Sequence, residues 1–486
     1  MTHNICPHKF ARNSRRPHYC TYIRVQALLD TFPACLVTAD DQMLYSFLST
    51  TVLWLNLQNA ELIAFEEHLN NKYTAAQYAC LTKKIKRCNT CSAILLRQLE
   101  IVHFVLADRA ASLTFSPANF SDSLPFLNSV LKRSRFIAED IARTVPDQNS
   151  ALHEELQACA FQLSRRSSLF SSCLASLFTK LEKKAGLPVL PMAEILDSAS
   201  IVLPARETLR RHHPQALDQP RSSNDELTFI TAHQAFELWF PTMLAYIDKV
   251  SIHLCSGSRN LALAEITIRQ ITLIYLLFCE MIQVPQTMTA ADYLVFRQQL
   301  EGGSGIESVG FRLIEISIGQ RDASLIDNLS AMDLMTEPIL TRLGKPSVSD
   351  TYLKLLGEAG IIGSIENLEQ AALSIARILR PTGLESAHSE LMAVGEALIE
   401  LEQAMDSWRR QHLAMVDRMI GSRMSLGAGG LAPKDHGVES NAEKGAVTDG
   451  RPYLLQTMHY QQVFSYLWQA RSLMLEKKRD FAHSVP

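Results

Sequence analysis

Apolar residues recur at helical spacing along most of this chain, and segments with the alternation of strands are scarce. Glycines and prolines interrupt the pattern, for example at Gly302-Gly303, Pro346 and Pro381. The pattern predicts helices over residues 42–68, 84–107, 152–185, 225–253, 261–283, 291–300, 306–319, 365–379 and 385–421. The sequence therefore predicts an all-α protein, a bundle of long packed helices.

Residues 427–450 depart from this pattern. They are polar and rich in glycine, and such a segment buries too little apolar surface to order itself. The composition predicts a mobile loop, either an idle insertion or a lid. We divide the chain into a helical N-terminal region, residues 1–190, and a second region, residues 191–486, which contains this loop.

A weak internal repeat links the two regions. At a fixed shift, matching residues fall at Asp40 and Asp225, at Leu53 and Leu238, and at Trp54 and Trp239. Leu48 then stands where His233 stands. Two amphipathic helices can also match by chance at so few positions, so both interpretations stay open. If the repeat is real, the first region is a copy without chemistry.

Charge and composition narrow the class of protein. The net charge is -3 and the pI about 6.6, which gives no broad nucleic-acid footprint. The basic N-terminus has no apolar run after it and does not resemble a secretory signal. The longest apolar stretch, residues 271–279, is about half a membrane span. We expect a cytoplasmic protein that binds neither nucleic acid nor membrane.

Cysteine usage gives little sign of a metal or disulfide framework. The 10 cysteines are spread along the chain, too thinly for a disulfide scaffold. Cys88 and Cys91 have the spacing of half a zinc site, but no second pair accompanies them. A lone pair of this kind is a weak zinc signal.

His412 lies on an apolar helical face. Trp408 is four residues before it, and Met415 and Met419 are three and seven after it. Such a histidine is either a satisfied core side chain or an axial ligand of a haem iron, with apolar neighbours packed against the porphyrin.

His233 lies on a similar face, with Phe229, Phe236 and Phe240 at helical spacing around it. Core packing would explain it. A buried imidazole among aromatic rings can also hydrogen-bond a flat aromatic substrate.

The segment that begins at Tyr293 offers a third candidate. Arg297 and Leu300 project to one side, and the helix breaks at Gly302. The arginine is either a solvated surface group or a bidentate fork for a substrate carboxylate.

These segments together resemble tryptophan 2,3-dioxygenase, from about residue 224 to about residue 454. The motifs that carry the resemblance, in chain order, are Asp225-Glu226 with Phe229, His233-Gln-Ala-Phe-Glu-Leu-Trp-Phe240, Phe296-Arg297, Ser304-Gly305, Phe311-Arg-Leu-Ile-Glu315, and His412 with Met415-Val416 and Arg418-Met-Ile-Gly421. Each is moderately specific, and their common order makes the signal specific. The resemblance implies the helical bundle of the tryptophan and indoleamine dioxygenases.

The resemblance also implies roles for individual residues. His412 would be the axial ligand of a b-type haem, with Trp408 and Met415 beside the cofactor. His233 would be the catalytic distal histidine that faces the indole N–H. Arg297 would hold the substrate carboxylate. The remaining substrate contacts would be Phe229, Tyr293 and Leu300 in the indole pocket, and Ser304 near the haem edge.

The implied activity is oxidation of L-tryptophan, or of a tryptophan derivative, by insertion of O2 across indole C2–C3 to give an N-formylkynurenine-type product. Members of the family are homo-oligomers in which an N-terminal segment closes the neighbour's site, so we expect a dimer or tetramer. If the internal repeat is real, the first region replaces a neighbouring subunit.

Some positions depart from the family pattern. The family has a compact loop with a substrate-binding threonine. Under one alignment Gly427-Ala428-Gly429-Gly430 takes its place, with Ala428 for the threonine, and under another Gly445-Ala-Val-Thr448-Asp449-Gly450 does, but neither keeps the motif. Tyr293 replaces the usual phenylalanine, and Pro241 a common lysine. These departures keep open a related haem enzyme of secondary metabolism that performs mono-oxygenation or ring rearrangement, and a non-catalytic haem-binding protein.

Overall fold

The structure is a computed structural model. It describes residues 38–66, 75–106, 150–185, 224–255, 257–297, 305–363, 368–378, 388–420 and 462–482, with isolated positions 23, 132, 133, 136 and 139. The loop predicted at 427–450 lies outside the described residues.

Every regular element in the described ranges is helical, which confirms the all-α prediction. In chain order the helices are α1 (Ala39–Glu66), α2 (Ala75–Leu106), α3 (Ser150–Ala185), α4 (Asn224–Leu254), α5 (Leu261–Met281), α6 (Ala290–Arg297), α7 (Val309–Ile318), α8 (Ala323–Ala331), α9 (Glu337–Leu343), α10 (Val348–Glu358), α11 (Leu368–Ile378), α12 (Ser389–Ile420) and α13 (Ser465–Ala482). The predicted stretches match α1–α7, α11 and α12, while α8, α9, α10 and α13 were not predicted.

The missed helices α8 and α10 begin with caps that the sequence does encode. The Asp322 side chain accepts a hydrogen bond from the Leu325 backbone N–H at 3.1 Å, which caps α8. Ser347 and Asp350 form a capping box at the start of α10. The apolar pattern in both helices is short, so periodicity alone did not reveal them.

Helix α4 lies at the centre of the described fold. It packs against α1, α5 and α7, while α1 packs on α2, α2 on α3, and α5 on α12. One apolar core runs through helices of both predicted regions, from Met43 in α1 to Ala470 in α13. A smaller cluster joins α7 to α8 and α9. The N-terminal helices therefore share the core that surrounds α4.

Helix α5 is the most continuously apolar element. With the turn that follows, Leu261–Thr287 is long and apolar enough to cross a membrane. Half of its most apolar window is nevertheless buried against the rest of the fold. Polar side chains of Thr267 and Gln270 are buried with it. Helix α5 therefore contributes one face to the core, while Ile266 and Leu276 on it are exposed.

The contact between Tyr352 of α10 and helix α12 depends on Gly395. A Cβ atom there would lie 2.7 Å from the Tyr352 hydroxyl, which donates a hydrogen bond to the Leu391 carbonyl at 2.8 Å. The glycine lets the tyrosine reach the α12 backbone. Gly357, in α10, has no such neighbour, because its nearest atom would be Ile362 Cγ1 at 4.0 Å.

We predict opposite effects of alanine at these two helical glycines. Gly395→Ala displaces the Tyr352 hydroxyl and lowers stability by about 1–3 kcal/mol, a usual cost of overpacking. Gly357→Ala raises stability by about 0.5–1 kcal/mol, because alanine loses less backbone entropy in a helix. Urea unfolding followed by circular dichroism measures both, and equal midpoints for the two variants would contradict the close approach of Tyr352 to Gly395.

Candidate functional site

The two histidines singled out from the sequence come together in the fold. His233 lies on α4 and His412 on α12. Burial lowers the pKa of His233 to about 4. Burial, together with the nearby His233 imidazole and Arg312 guanidinium, lowers the pKa of His412 to about 3. Both imidazoles are therefore neutral at neutral pH.

A backbone contact fixes the tautomer of His233. Its Nδ1 lies 2.7 Å from the carbonyl oxygen of Phe229, one turn earlier on α4. Because a carbonyl only accepts hydrogen bonds, Nδ1 carries the proton. In a neutral ring the other nitrogen, Nε2, is then an acceptor. The site therefore presents an acceptor that suits an N–H donor on a ligand.

An aromatic cluster that begins with Trp408 lies beside His412. Its ring centroid lies 5.2 Å from that of Trp408, and Trp408 in turn lies 4.7 Å from Phe311 and 6.4 Å from Phe236. Met415 is buried one turn further along α12. The sequence predicted Trp408 and Met415 on the His412 face, and both are buried there.

Two buried polar atoms at this place have no protein partner among the described residues. They are Nδ1 of His412 and Nε1 of Trp408. Buried polar atoms normally find a partner, so the orphaned atoms fit a pocket that a bound group completes. A neutral imidazole with apolar neighbours is the donor set of an axial haem ligand.

A second aromatic group lies beside His233. The ring of Phe229 is 4.0 Å from the imidazole and 5.4 Å from Phe296. Tyr293 lies 6.0 Å from Phe229 and 5.3 Å from Phe296. Helix α6 thus brings Tyr293 to the ring cluster of α4.

Three predicted substrate residues have side chains outside the described part of the chain. Arg297 is the last residue of α6, and only its backbone is described. Leu300 and Ser304 lie outside the described residues. Their assigned roles remain predictions.

A buried ion cluster holds the His412 helix against α7. Arg312 and Glu315, three residues apart on α7, form a fully buried ion pair, with Nη1 2.7 Å from Oε2. Arg409, three residues before His412, also contacts Glu315, with its Nη2 3.0 Å from Oε1. No local signal could have shown that Arg409 reaches another helix.

A further contact holds α7 against α4, the His233 helix. The Ser308 hydroxyl donates a hydrogen bond to Glu237 at 2.6 Å and also caps α7 by accepting from the Phe311 N–H. A Cβ on Gly310 would lie 3.0 Å from the Phe240 ring, so the two helices touch closely. Helix α7 and its N-cap therefore contact both α4 and α12, the helices that carry the two histidines.

The cysteine pair gives no support for a zinc site. Cys88 and Cys91 are buried in α2, and burial raises the pKa of both thiols, which opposes the thiolate form that zinc binds. The described ranges hold no group of three or more His, Cys, Asp or Glu side chains suited to a metal ion.

Comparison with known proteins agrees with the motifs. The family model described as tryptophan 2,3-dioxygenase matches residues 202–359. A tryptophan 2,3-dioxygenase of Nocardioides sp. is 30% identical over 216 residues, 44% of this chain and 79% of that protein. One from Herpetosiphon aurantiacus is 32% identical over 221 residues, 43% of this chain and 83% of that protein. One from Anaeromyxobacter dehalogenans is 28% identical and covers 53% of this chain and 91% of that protein.

The all-helical fold, the site residues and these relatives define an oxidoreductase. The chain belongs to the tryptophan 2,3-dioxygenase family. The matched segment 202–359 includes His233 and the α6 residues. The helices α1–α3 precede that segment, and α12 with His412 follows it.

We predict that the Arg409–Glu315 contact stabilises the site. Arg409→Met removes one charged hydrogen bond to a buried carboxylate and lowers stability by about 1.5–3 kcal/mol. Arg410→Met is the matched control, because the side chain of Arg410 is 68% exposed and its ion pair with Asp406 is worth less than about 1 kcal/mol. Urea unfolding compares the two, and similar losses would contradict a supporting role for Glu315.

Proposed function

We propose that this protein is a haem-dependent enzyme that oxidises L-tryptophan or a tryptophan derivative. In the proposed reaction the indole C2–C3 bond breaks and each carbon receives one oxygen atom of O2, which gives an N-formylkynurenine-type product. The observation that carries the proposal is the pair of neutral, half-buried imidazoles, His233 and His412, which lie near each other within the family's motifs.

The cofactor assignment rests on His412. Its neutral ring, its orphaned Nδ1 and its aromatic neighbours suit an axial ligand of a b-type haem. Trp408 and Met415 would lie against the porphyrin. When bound, ferrous haem would supply the electronic access to ground-state O2 that a closed-shell indole lacks. Family membership supports this assignment, because the family depends on haem.

The substrate assignment rests on His233 and its neighbours. Its Nε2 is an acceptor, which matches the N–H donor of an indole ring. Phe229 and Tyr293 offer flat apolar surfaces beside that nitrogen, and Leu300 would extend them. Arg297 would grip the substrate carboxylate as a bidentate fork, and Ser304 would lie near the haem edge.

The choice of substrate within this class depends on the loop 427–450, where Ala428 or Thr448 could take the place of the family's threonine. Tyr293 adds a hydroxyl to the indole pocket. Both differences would suit a modified tryptophan, and product analysis decides between dioxygenation and the related mono-oxygenation. We also propose that the enzyme is cytoplasmic and homo-oligomeric.

The decisive experiment combines spectra with product mass. We expect a Soret band that shifts on reduction and CO binding, and a product about 32 mass units heavier than L-tryptophan or its derivative. A gain of about 16 would assign a mono-oxygenase instead. A coloured protein without turnover would assign a non-catalytic haem protein, and a colourless one would overturn the whole proposal.

The two histidines should separate cofactor binding from turnover. His412→Ala should lose haem, because no other imidazole is assigned to the iron. His233→Ala should keep haem and lose turnover by about 10- to 100-fold, since this residue only positions and polarises the substrate. Haem content by pyridine haemochromogen and kcat test both, and loss of haem from His233→Ala alone would reverse the assigned roles.

Arg297 should act on substrate rather than on cofactor. Arg297→Ala removes charged hydrogen bonds worth about 1.5–3 kcal/mol, so substrate affinity should fall about 10- to 100-fold while haem affinity stays unchanged. Arg377→Ala, at an exposed position of α11, is the control. Titration of the Soret band with substrate measures affinity, and equal losses of substrate and haem would refute the role.

A further inference from the structure

The three N-terminal helices are arranged like the three long helices around the candidate site. Helix α1 packs on α2 and α2 on α3, as α4 packs on α5 and α5 on α12. In both sets the last two helices run parallel. Along α2 and α3, Lys86 meets Glu155 and Asn89 meets Cys159. Along α5 and α12, Arg269 meets Glu400, and Tyr275 further along lies near Arg409.

The first helices of the two sets cross each other antiparallel. Asp40, at the start of α1, accepts a hydrogen bond from the Tyr246 hydroxyl near the end of α4 at 2.8 Å. At the other end of the crossing Asp225, at the start of α4, is joined to Glu61 near the end of α1 through Arg87. The sequence repeat lays Asp40 over Asp225 and Glu61 over Tyr246. The two ends of the crossing are therefore related by a pseudo-two-fold axis.

The two repeated tryptophans meet near this axis. Trp54 and Trp239 are both fully buried. With the Gln98 amide turned so that its oxygen faces them, that oxygen accepts a hydrogen bond from each indole Nε1 at 3.2 Å. Chance similarity of two amphipathic helices does not explain why paired positions also meet in space.

The first set lacks both histidines. Leu48 occupies the position of His233 in the repeat. When Arg165-Arg166 of α3 is laid over Arg409-Arg410 of α12, Ser168 falls at the position of His412. Neither replacement can ligate iron as imidazole does. The first set therefore has the helix arrangement of the candidate site but neither of its histidines.

What the first set retains is a cationic contact with the candidate site. Lys83 on α2 places its Nζ 2.6 Å from the carboxylates of both Asp225 and Asp292. Asp225 begins the helix of His233, and Asp292 precedes Tyr293 on the helix of Arg297. One ammonium group thus joins the starts of the two helices that carry the proposed substrate residues.

The contact is shielded from water on its Asp225 side, while the Asp292 side chain is 39% exposed. The Asp225 side chain is 4% exposed and that of Lys83 23%. Although burial raises it, the hydrogen bonds from Lys83 and Thr289 lower the pKa of Asp292 to about 2. Lys86, three residues further along α2, pairs instead with Glu155 on the surface. The helix therefore offers its own control.

We propose that the N-terminal set α1–α3 is a degenerate copy of the site helices that binds no haem and has become a built-in support, with Lys83 as a positioning residue for α4 and α6. The substrate side of this inference rests on the proposed function. The helix contacts do not rest on the proposed function. The experiment below therefore tests the positioning role of Lys83 separately from the proposed function.

Hydrogen–deuterium exchange tests the support in any state of cofactor loading. Lys83→Met should speed exchange in the first turn of α4 and throughout α6 by on the order of tenfold relative to wild type, Lys83→Arg should restore slow exchange, and Lys86→Met should leave both segments unchanged. Equal exchange in Lys83→Met and Lys86→Met would overturn the positioning role.

Two further measurements on the purified full chain complete the test. Haem content should be one per chain, and two haems per chain would overturn the degenerate copy. Lys83→Met should raise the KM for the indole substrate by on the order of tenfold with a smaller change in kcat and an unchanged Soret band, because the pocket is displaced and the iron is not. A colourless wild type would end the proposed function, while the exchange measurement would still decide on Lys83.

Discussion

A charged side chain can leave water only if an opposite charge accompanies it, and this constraint governs the regions on both sides of the site. On one side Arg87 lies between Glu61 and Asp225, and all three are buried. On the other side Glu315 lies between two arginines, one of them on the helix of His412. Each of these two ion clusters includes a charged side chain from a second helix. The ion clusters therefore help to fix the positions of both helices that carry the histidines.

Local periodicity was sufficient for much of the fold and for the helical faces on which the two histidines lie. The apolar neighbours of His233 and His412 share a helix with them, and a face is a property of a single helix. The all-α class and the long helices followed from the same pattern. Periodicity does not reveal short helices such as α8 and α10, because few residues carry their pattern and their caps, Asp322 and Ser347, are not part of it.

The contacts between helices were beyond sequence reasoning. Lys83 and Asp292 are 209 residues apart, and Arg409 and Glu315 are 94 apart. The type of these side chains does not specify which opposite charge each one meets. The chain has many acidic and basic residues, and the sequence does not distinguish among their possible pairings. The internal repeat could be predicted only in part. Its register is visible in the sequence, but the antiparallel crossing of α1 and α4, which relates the two copies in space, is not.

The packing of α1–α3 onto α4 within one polypeptide has a consequence for behaviour on dilution. A support supplied by a separate subunit is lost when the concentration falls below the dissociation constant of the assembly. A support joined to the site by peptide bonds is present at a high effective concentration that dilution does not change. In this chain the packing of α1–α3 on α4 therefore persists at protein concentrations at which a support supplied by a separate subunit would dissociate.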